Sequence, residues 1–243
     1  MKITILGSGG FTPTPYPNCK CEQCKIALAD KTKIRTGHSI YIHDLDLLLD
    51  TPRESLQHIK YLGFFPKNIC YSHWHPDHTE GWRVLEYFNN TPNVYIQNDS
   101  LLLEHVPGLK YLQENKHINI INWKTGMPFS YNNISISYVL MDKQIPVYCF
   151  ILKTDNNNVL IAPDHSKYLL DTSINLNLDL IIMNLGISNG TNNATTFNDN
   201  LNIIEKFHPK KVILTHIEAH TDIPKIAMPT NLVIASDKMI IKP

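Results

Sequence analysis

The chain has 243 residues, and its 22 lysines and arginines are balanced by 22 aspartates and glutamates, giving a formal net charge of zero. With no global field, nothing recruits nucleic acid or an anionic membrane from a distance, and no apolar run approaches the roughly twenty residues that cross a bilayer. Apolar residues make up 43% of the chain, enough to fill the core of a soluble domain of this length. The expectation is one cytoplasmic domain over residues 1–243.

Residues 1–6, Met-Lys-Ile-Thr-Ile-Leu, alternate toward a Gly-Ser-Gly-Gly turn and predict a first strand. No Gly-Lys-Ser or Gly-Lys-Thr follows, so Gly7 to Gly10 read as a turn beneath the active site rather than a phosphate loop. Pro13, Pro15 and Pro17 make the next stretch a loop. Cys19, Cys21 and Cys24 then fall within six residues. In a reducing cytosol, clustered thiols read as a metal site rather than a disulfide framework. A structural zinc takes four ligands, so a fourth must come from elsewhere in the chain. Three unligated thiols on a loop are the plain alternative. Cys70 and Cys149 lie inside apolar runs and read as small buried hydrophobes.

Residues 25–33 predict a short helix. Two strands follow, His38-Ser-Ile-Tyr-Ile and Leu45 to Asp50, joined at His43-Asp44. Asp50 either caps a helix over Pro52 to Gly63 or supports the loop at the next strand end; both roles are compatible. A strand at Ile69 to Ser72, a helix over Gly81 to Phe88, and strands at Val94–Gln97 and Ile118–Ile121 around a polar helix from Asp99 come next. Ile134 to Leu140 alternates with period two, and Val147 to Lys153 is a continuous apolar run. Asp155 to Asn158 reads as a hairpin turn. Strands at Val159–Ala162, Leu178–Asn184 and Lys211–Thr215 and a helix over Phe197–Phe207 complete the pattern. Asn156–Asn158 and Asn192–Asn193 read as surface loops.

The chemistry concentrates in residues 71–81, where His73, His75, Asp77 and His78 form H-x-H-x-D-H at the end of a strand. Imidazole is the commonest metal ligand, and a carboxylate suits the harder divalent ions. Residues two apart on a loop leaving a strand can face the same way, so His73 and His75 can grip one ion. Pro76 reverses the chain, so Asp77 and His78 can face a second. Asp164 and His216 each follow an apolar strand, where a side chain is presented at a sheet edge. A strand-end turn residue is the alternative for Asp164.

The H-x-H-x-D-H run resembles the signature of the metallo-β-lactamase superfamily. The resemblance implies an α/β fold, an αββα sandwich of two packed mixed sheets flanked by helices, with metals at the mouth between the sheets. It also implies that Asp164 is the bridging carboxylate and His216 the last histidine ligand. The ligand set is then His73, His75, Asp77, His78, Asp164 and His216, holding one or two divalent ions (zinc, manganese or iron). The superfamily places a further histidine before the strand that is here Val147 to Lys153. Residues 140–146 contain none, and Asp142 is the residue there able to coordinate.

The C-x-C-x-x-C cluster is similar to that of the PhnP-type cyclic-phosphate phosphodiesterases, which pair it with a histidine just after the last active-site one. That resemblance implies a structural zinc on Cys19, Cys21, Cys24 and His220. It implies hydrolysis of a small-molecule phosphodiester by a hydroxide held on the metals, with Asp77 orienting the water and His75 indispensable to turnover. The PhnP type also uses a histidine before the helix beginning near Phe197. Residues 189–197 have none, which leaves His165, beside Asp164, as the nearest candidate acid, although a strand-end surface histidine is the plainer reading. A lactonase, a thioesterase or a cofactor-biosynthesis protein of the PqqB kind is the alternative on the same fold. Trp74, Trp82, Phe64 and Phe65 would line its apolar pocket unless they are packing residues. A non-catalytic metal-binding protein is the third reading. A nuclease acting on transfer RNA is disfavoured by the neutral charge. A homodimer is compatible with the sequence.

Overall fold

Leu47, Leu48 and Leu49 are consecutive and all buried, yet they belong to two different cores: Leu47 and Leu49 to one, Leu48 to another. A strand sends successive side chains to opposite faces, so an unbroken apolar run of this kind needs cover on both sides. The computed structural model describes all residues except 99, 132, 187–193 and 222–228, and it shows what supplies that cover. The expected loop at Asn192–Asn193 and the start of the expected helix at Asp99 lie outside the described residues.

The strands are β1 (Ile3–Gly7), β2 (Ser39–Ile42), β3 (Leu47–Leu49), β4 (Asn68–Cys70), β5 (Asn93–Gln97) and β6 (Asn119–Trp123). Then come β7 (Phe129–Tyr131), β8 (Ile134–Asp142), β9 (Val147–Lys153), β10 (Asn158–Ala162), β11 (Leu180–Asn184), β12 (Lys211–Thr215), β13 (Leu232–Ile234) and β14 (Met239–Ile241). One sheet runs β14-β1-β2-β3-β4-β5-β6 and the other β13-β12-β11-β10-β9-β8-β7. Both are mixed, with parallel pairing from β3 to β6 and from β10 to β13.

The central core joins the two sheets, with Ile3, Ile40 and Leu49 from one and Phe150, Ile161 and Ile182 from the other. Outside the first sheet, Leu48, Ile69 and Val94 pack against Ile59 of α2 (Ser55–Leu62) and Leu109 of a later helix over Gly108–Glu114. Outside the second, Leu160, Ile181 and Val212 pack under Phe197, Ile203 and Phe207. The layers are therefore helix, sheet, sheet, helix, the expected αββα sandwich.

Local chemistry explains where the elements differ from their expected bounds. The helix near the thiols, α1 (Glu22–Ala29), starts three residues early because Cys21 caps it, its sulfur accepting from the Cys24 N–H; a separate 3₁₀ turn covers Lys31–Lys33. After H-x-H-x-D-H the chain makes α3 (Pro76–Thr79) and then a 3₁₀ helix over Glu80–Tyr87, in place of one α-helix. Two short helices, α4 (Leu102–His105) and α5 (Gly108–Glu114), occupy the stretch after residue 99. The last helix, α6 (Phe197–Phe207), opens with a reciprocal Thr196–Asp199 capping box. β7, β13 and β14 have three residues each, too short to leave a period in the sequence.

Candidate metal centre

The metal motif leaves β4 at the same level as the ends of β3, β10 and β12, so four loops meet there. Asp50, directly after β3, is fully buried with a left-handed backbone (φ 63°). Its Oδ1 accepts from the Ser72 backbone N–H at 2.7 Å and its Oδ2 from the Ser72 hydroxyl at 2.9 Å. The Ser72 carbonyl in turn accepts from the Tyr148 N–H at 3.0 Å, which locks the loop to the second sheet. Pro76 sits at the start of α3, where its fixed φ costs no hydrogen bond. The expected cap role for Asp50 is not seen: α2 begins five residues later, and the carboxylate is spent on Ser72 and His78. Its other expected role, as a support of the metal loop, matches these contacts.

His78 Nε2, His216 Nε2 and Asp77 Oδ2 converge from two chain segments. The two nitrogens are 3.0 Å apart, and the carboxylate oxygen is 3.1 Å from His216 and 3.3 Å from His78. Beside them His73, His78 and Asp164 form a second group whose ligand atoms all lie within 4.8 Å of one another. A third group of the same compactness holds His75, Asp164 and His165. Asp164 is thus shared, as a bridging carboxylate would be. All six sequence-derived ligands, His73, His75, Asp77, His78, Asp164 and His216, are brought to one place.

The donor set fits a cation. His73 Nε2 is buried with no hydrogen-bond partner and lies 3.7 Å from Asp164 Oδ2. A buried orphan lone pair is costly unless something electropositive faces it. Burial alone would depress His216 and His78. Instead Asp164 and Asp77 raise His216 to about 9, and Asp77 and Asp50 raise His78 well above the usual histidine range. Burial would raise Asp77 and Asp164, but the surrounding histidines hold both below the ordinary carboxylate value. Burial, with His78 and His75 close by, holds His73 far down. One buried carboxylate, Asp50, and two half-buried ones, Asp77 and Asp164, stand among the histidines, a concentration of negative charge that divalent ions would offset.

The thiols sit against the turn that follows His216. The Ala219 N–H donates to the Thr12 carbonyl at 3.0 Å, and the Glu218 carboxylate accepts the N–H groups of Phe11 and Thr12 at 2.9 and 2.7 Å. This clamps residues 216–220 to the N-terminal loop. The Cys21 thiol reaches the Ala219 carbonyl at 2.6 Å, and Cys19 Sγ lies 3.2 Å from His220 Nδ1. Cys19, Cys21 and His220 form a compact ligand group. Cys24 is buried beside it, its sulfur 3.2 Å from the Tyr16 backbone nitrogen that donates to it. The Cys21 backbone N–H lowers Cys19 to about 7, toward the thiolate a metal needs, whereas burial raises Cys24 to about 11.

Two further histidines enter the centre: His38, which the sequence did not single out, and His165, read there as a candidate acid or, more plainly, a surface histidine. His38 is fully buried, 3.6 Å from Asp50 Oδ2, and burial holds it down at about 4. His165 is no surface histidine: its side chain is 13% exposed, and its Nδ1 lies 2.9 Å from Asp142 Oδ2. Asp142 itself therefore faces His165 and is in none of the compact ligand groups of the described residues. Both His165 and His216 carry left-handed backbones (φ 51° and 52°), a conformation costing roughly 1–3 kcal/mol for a non-glycine residue and concentrated at functional sites. A strand-end Asp-His pair was the only sequence signal for His165; nothing marked His38.

A cleft of about 580 Å³ opens over the centre, lined by His75, Asp77, Asp164, His165, His216 and Glu218 among others. Its described walls include Phe11, Ile145 and Leu185 but no lysine or arginine. Trp74, Trp82, Phe64 and Phe65 are not among its described lining residues, in keeping with their reading as packing residues. Trp74 stacks on His105 at 3.8 Å, Phe65 meets Phe88 at 4.7 Å, and Phe64 packs edge-on to Tyr41.

No protein-family model matches the sequence, and no curated protein matches it. Among solved structures, a diphosphatase from the PhnP family is similar with a TM-score of 0.77 at 20% identity, over 99% of this chain and 97% of that one. Zn²⁺-bound PqqB from Methylobacterium extorquens gives 0.72 at 13% identity over 100% of both chains. The metallo-β-lactamase fold protein YhfI from Bacillus subtilis gives 0.69 at 16% identity, over 99% and 98%. In layer order, sheet topology and the loop that carries H-x-H-x-D-H, this chain has the metallo-β-lactamase fold.

Proposed function

We propose that residues 1–243 act as one domain, a metal-dependent hydrolase whose substrate is a small phosphodiester. The observation that carries this reading is the convergence of His73, His75, Asp77, His78, Asp164 and His216 under an open cleft. Divalent ions bound by such a nitrogen and oxygen set lower the pKa of a water and neutralise charge growing on phosphoryl oxygens. His73 and His75 would hold one ion, Asp77, His78 and His216 the other, with Asp164 between them. Asp50 orients His78 from behind, and Asp77, at the cleft floor, is placed to orient the attacking water. A structural zinc on Cys19, Cys21 and His220, with Cys24 as the fourth ligand, would pin the turn after His216 to the N-terminal loop. Thiolate ligands of this kind suit a reducing compartment, the cytosol.

The described cleft walls carry no lysine or arginine, so the metals would be the main partners of the substrate's negative charge. That favours a compact substrate with one reacting phosphoryl group over a nucleic acid, whose neighbouring phosphates need cationic partners. The similar PhnP-family protein is a diphosphatase, which supports testing a phosphoanhydride beside the phosphodiesters. The acyl-substrate reading loses the aromatic wall it required, since Trp74, Phe64 and Phe65 pack elsewhere. The test is a panel of bis-nitrophenyl phosphate, a cyclic nucleotide, a diphosphate diester, an aryl lactone and a β-lactam, each with added manganese or zinc. Turnover confined to the phosphorus substrates and abolished by a chelator is the expected result. Turnover of the lactone or β-lactam alone would transfer the enzyme to acyl chemistry.

A further inference from the structure

We propose that His165, held by Asp142, is the third imidazole for the ion gripped by His73 and His75. The proposal rests on the metal-dependent reading above and goes beyond it, because nothing in the six-residue ligand set assigns His165 a place. That set leaves one ion with only two imidazoles and a share of Asp164. The stretch before β9, residues 140–146, holds no histidine to complete it.

The carboxylate of Asp142 is fully engaged in holding something else. Its Oδ1 accepts the N–H of Gln144 at 2.8 Å and that of Ile145 at 3.4 Å, and its Oδ2 accepts from His165 Nδ1 at 2.9 Å. An imidazole whose Nδ1–H is taken by a carboxylate presents its Nε2 lone pair outward, and this second contact is what fixes a metal-ligating histidine in structures generally. His165 Nε2 lies 3.7 Å from Asp164 Oδ2, too far for a hydrogen bond but suited to sharing a cation. His73 Nε2 lies 3.7 Å from the same oxygen, His75 shares a compact group with Asp164 and His165, and the rings of His73, His75 and His165 have centroids 4.5, 5.9 and 6.1 Å apart. With Asp164 common to the group holding His73 and the group holding His75 and His165, one ion beside its carboxylate would have three imidazoles and a carboxylate within reach, a set that suits zinc, cobalt or manganese. The backbone supports the same assignment: His165 leaves β10 in the left-handed conformation that His216 adopts on leaving β12. The histidine is thus supplied from the far side of β9, and the aspartate standing near the usual position has become its support.

The experiment titrates cobalt into metal-stripped protein, following ions bound per chain and the visible absorption of the bound metal. Wild type, His165→Gln and Asp142→Asn are compared, with far-ultraviolet circular dichroism of each stripped protein as the folding control. His165→Gln is expected to bind about one ion fewer, or that ion about 100-fold more weakly. Asp142→Asn, which leaves the imidazole in place, is expected to weaken the same ion by about 10–100-fold and so gives an answer even where His165→Gln does not fold. Wild-type stoichiometry and affinity in both variants would overturn the assignment of His165 while leaving the hydrolase reading intact. Wild type that takes up cobalt on the thiols alone would overturn both.

Discussion

Asp50 accepts a 2.8 Å hydrogen bond from Nδ1 of His78, and both residues are fully buried. The contact fixes which nitrogen of His78 faces Asp77 and His216, so a carboxylate outside the proposed six-residue ligand set governs how His78 is presented. Asp50→Asn tests this cleanly, because asparagine tolerates the left-handed backbone at φ 63°. The variant is expected to fold and to bind active-site metal about 10–100-fold more weakly, as read by competition with a chelating dye. Unchanged affinity would mean that the orientation of His78 is set by packing alone.

Gly10 lies under the centre, where a Cβ would press on the Glu218 carboxylate and stand 2.8 Å from His216 Nδ1. Glu218 moves only by releasing the Phe11 and Thr12 N–H groups it accepts. Gly10→Ala is therefore expected to shift His216 and to lower kcat/KM by roughly 10–100-fold, while zinc on the thiols is retained. Steady-state kinetics beside zinc analysis separates the two sites.

Cys21→Ser removes a ligand from the thiol group while its hydroxyl can still cap α1, so the change reads the metal site alone. The expected result is loss of one zinc per chain and a melting temperature lower by about 5 °C or more. The main cores do not include the thiol loop apart from its anchoring turn, so the variant is expected to remain folded at 25 °C. An unaltered zinc content and melting curve would remove the structural site.

His58 gives a pH signature remote from the metal ligands. Burial holds it at about 4, and its Nε2 lies 2.8 Å from the Thr36 hydroxyl. Between that value and the ordinary 6.5 the unfolded chain binds the proton and the folded chain does not, so stability rises with pH across this window. His58 alone is expected to remove about 2 kcal/mol between pH 7 and pH 5. Urea unfolding of His58→Gln should show a correspondingly flatter profile; an identical slope would place His58 among groups neutral to folding.

The sequence disclosed what is local or periodic. H-x-H-x-D-H lies within six residues, and Asp164 and His216 follow apolar runs long enough to predict their strands. The pairing of Asp142 with His165 spans 23 residues and depends on a left-handed backbone at the end of β10, which no spacing encodes. His38 looked like an ordinary strand start because its partners, Asp50, His78 and His216, come from three other loops. The aromatics near the motif could be read as packing residues or as pocket walls; Trp74 packs on His105 of α4, a partner that only tertiary packing fixes. The C-terminal β14 has three residues and is recruited to β1 beside the Asp237 side chain, which accepts from Ser8 and Thr36.

The central claim is that cations occupy the point where His73, His75, Asp77, His78, Asp164 and His216 meet. Metal content per chain, measured on purified wild type and His75→Ala after equilibration with zinc and removal of the excess, tests it most directly. About three ions in wild type, two in the centre and one on the thiols, falling by at least one in His75→Ala, is the result expected from these ligand sets. Wild type carrying only the ion on its thiols, with His75→Ala no different, would contradict it.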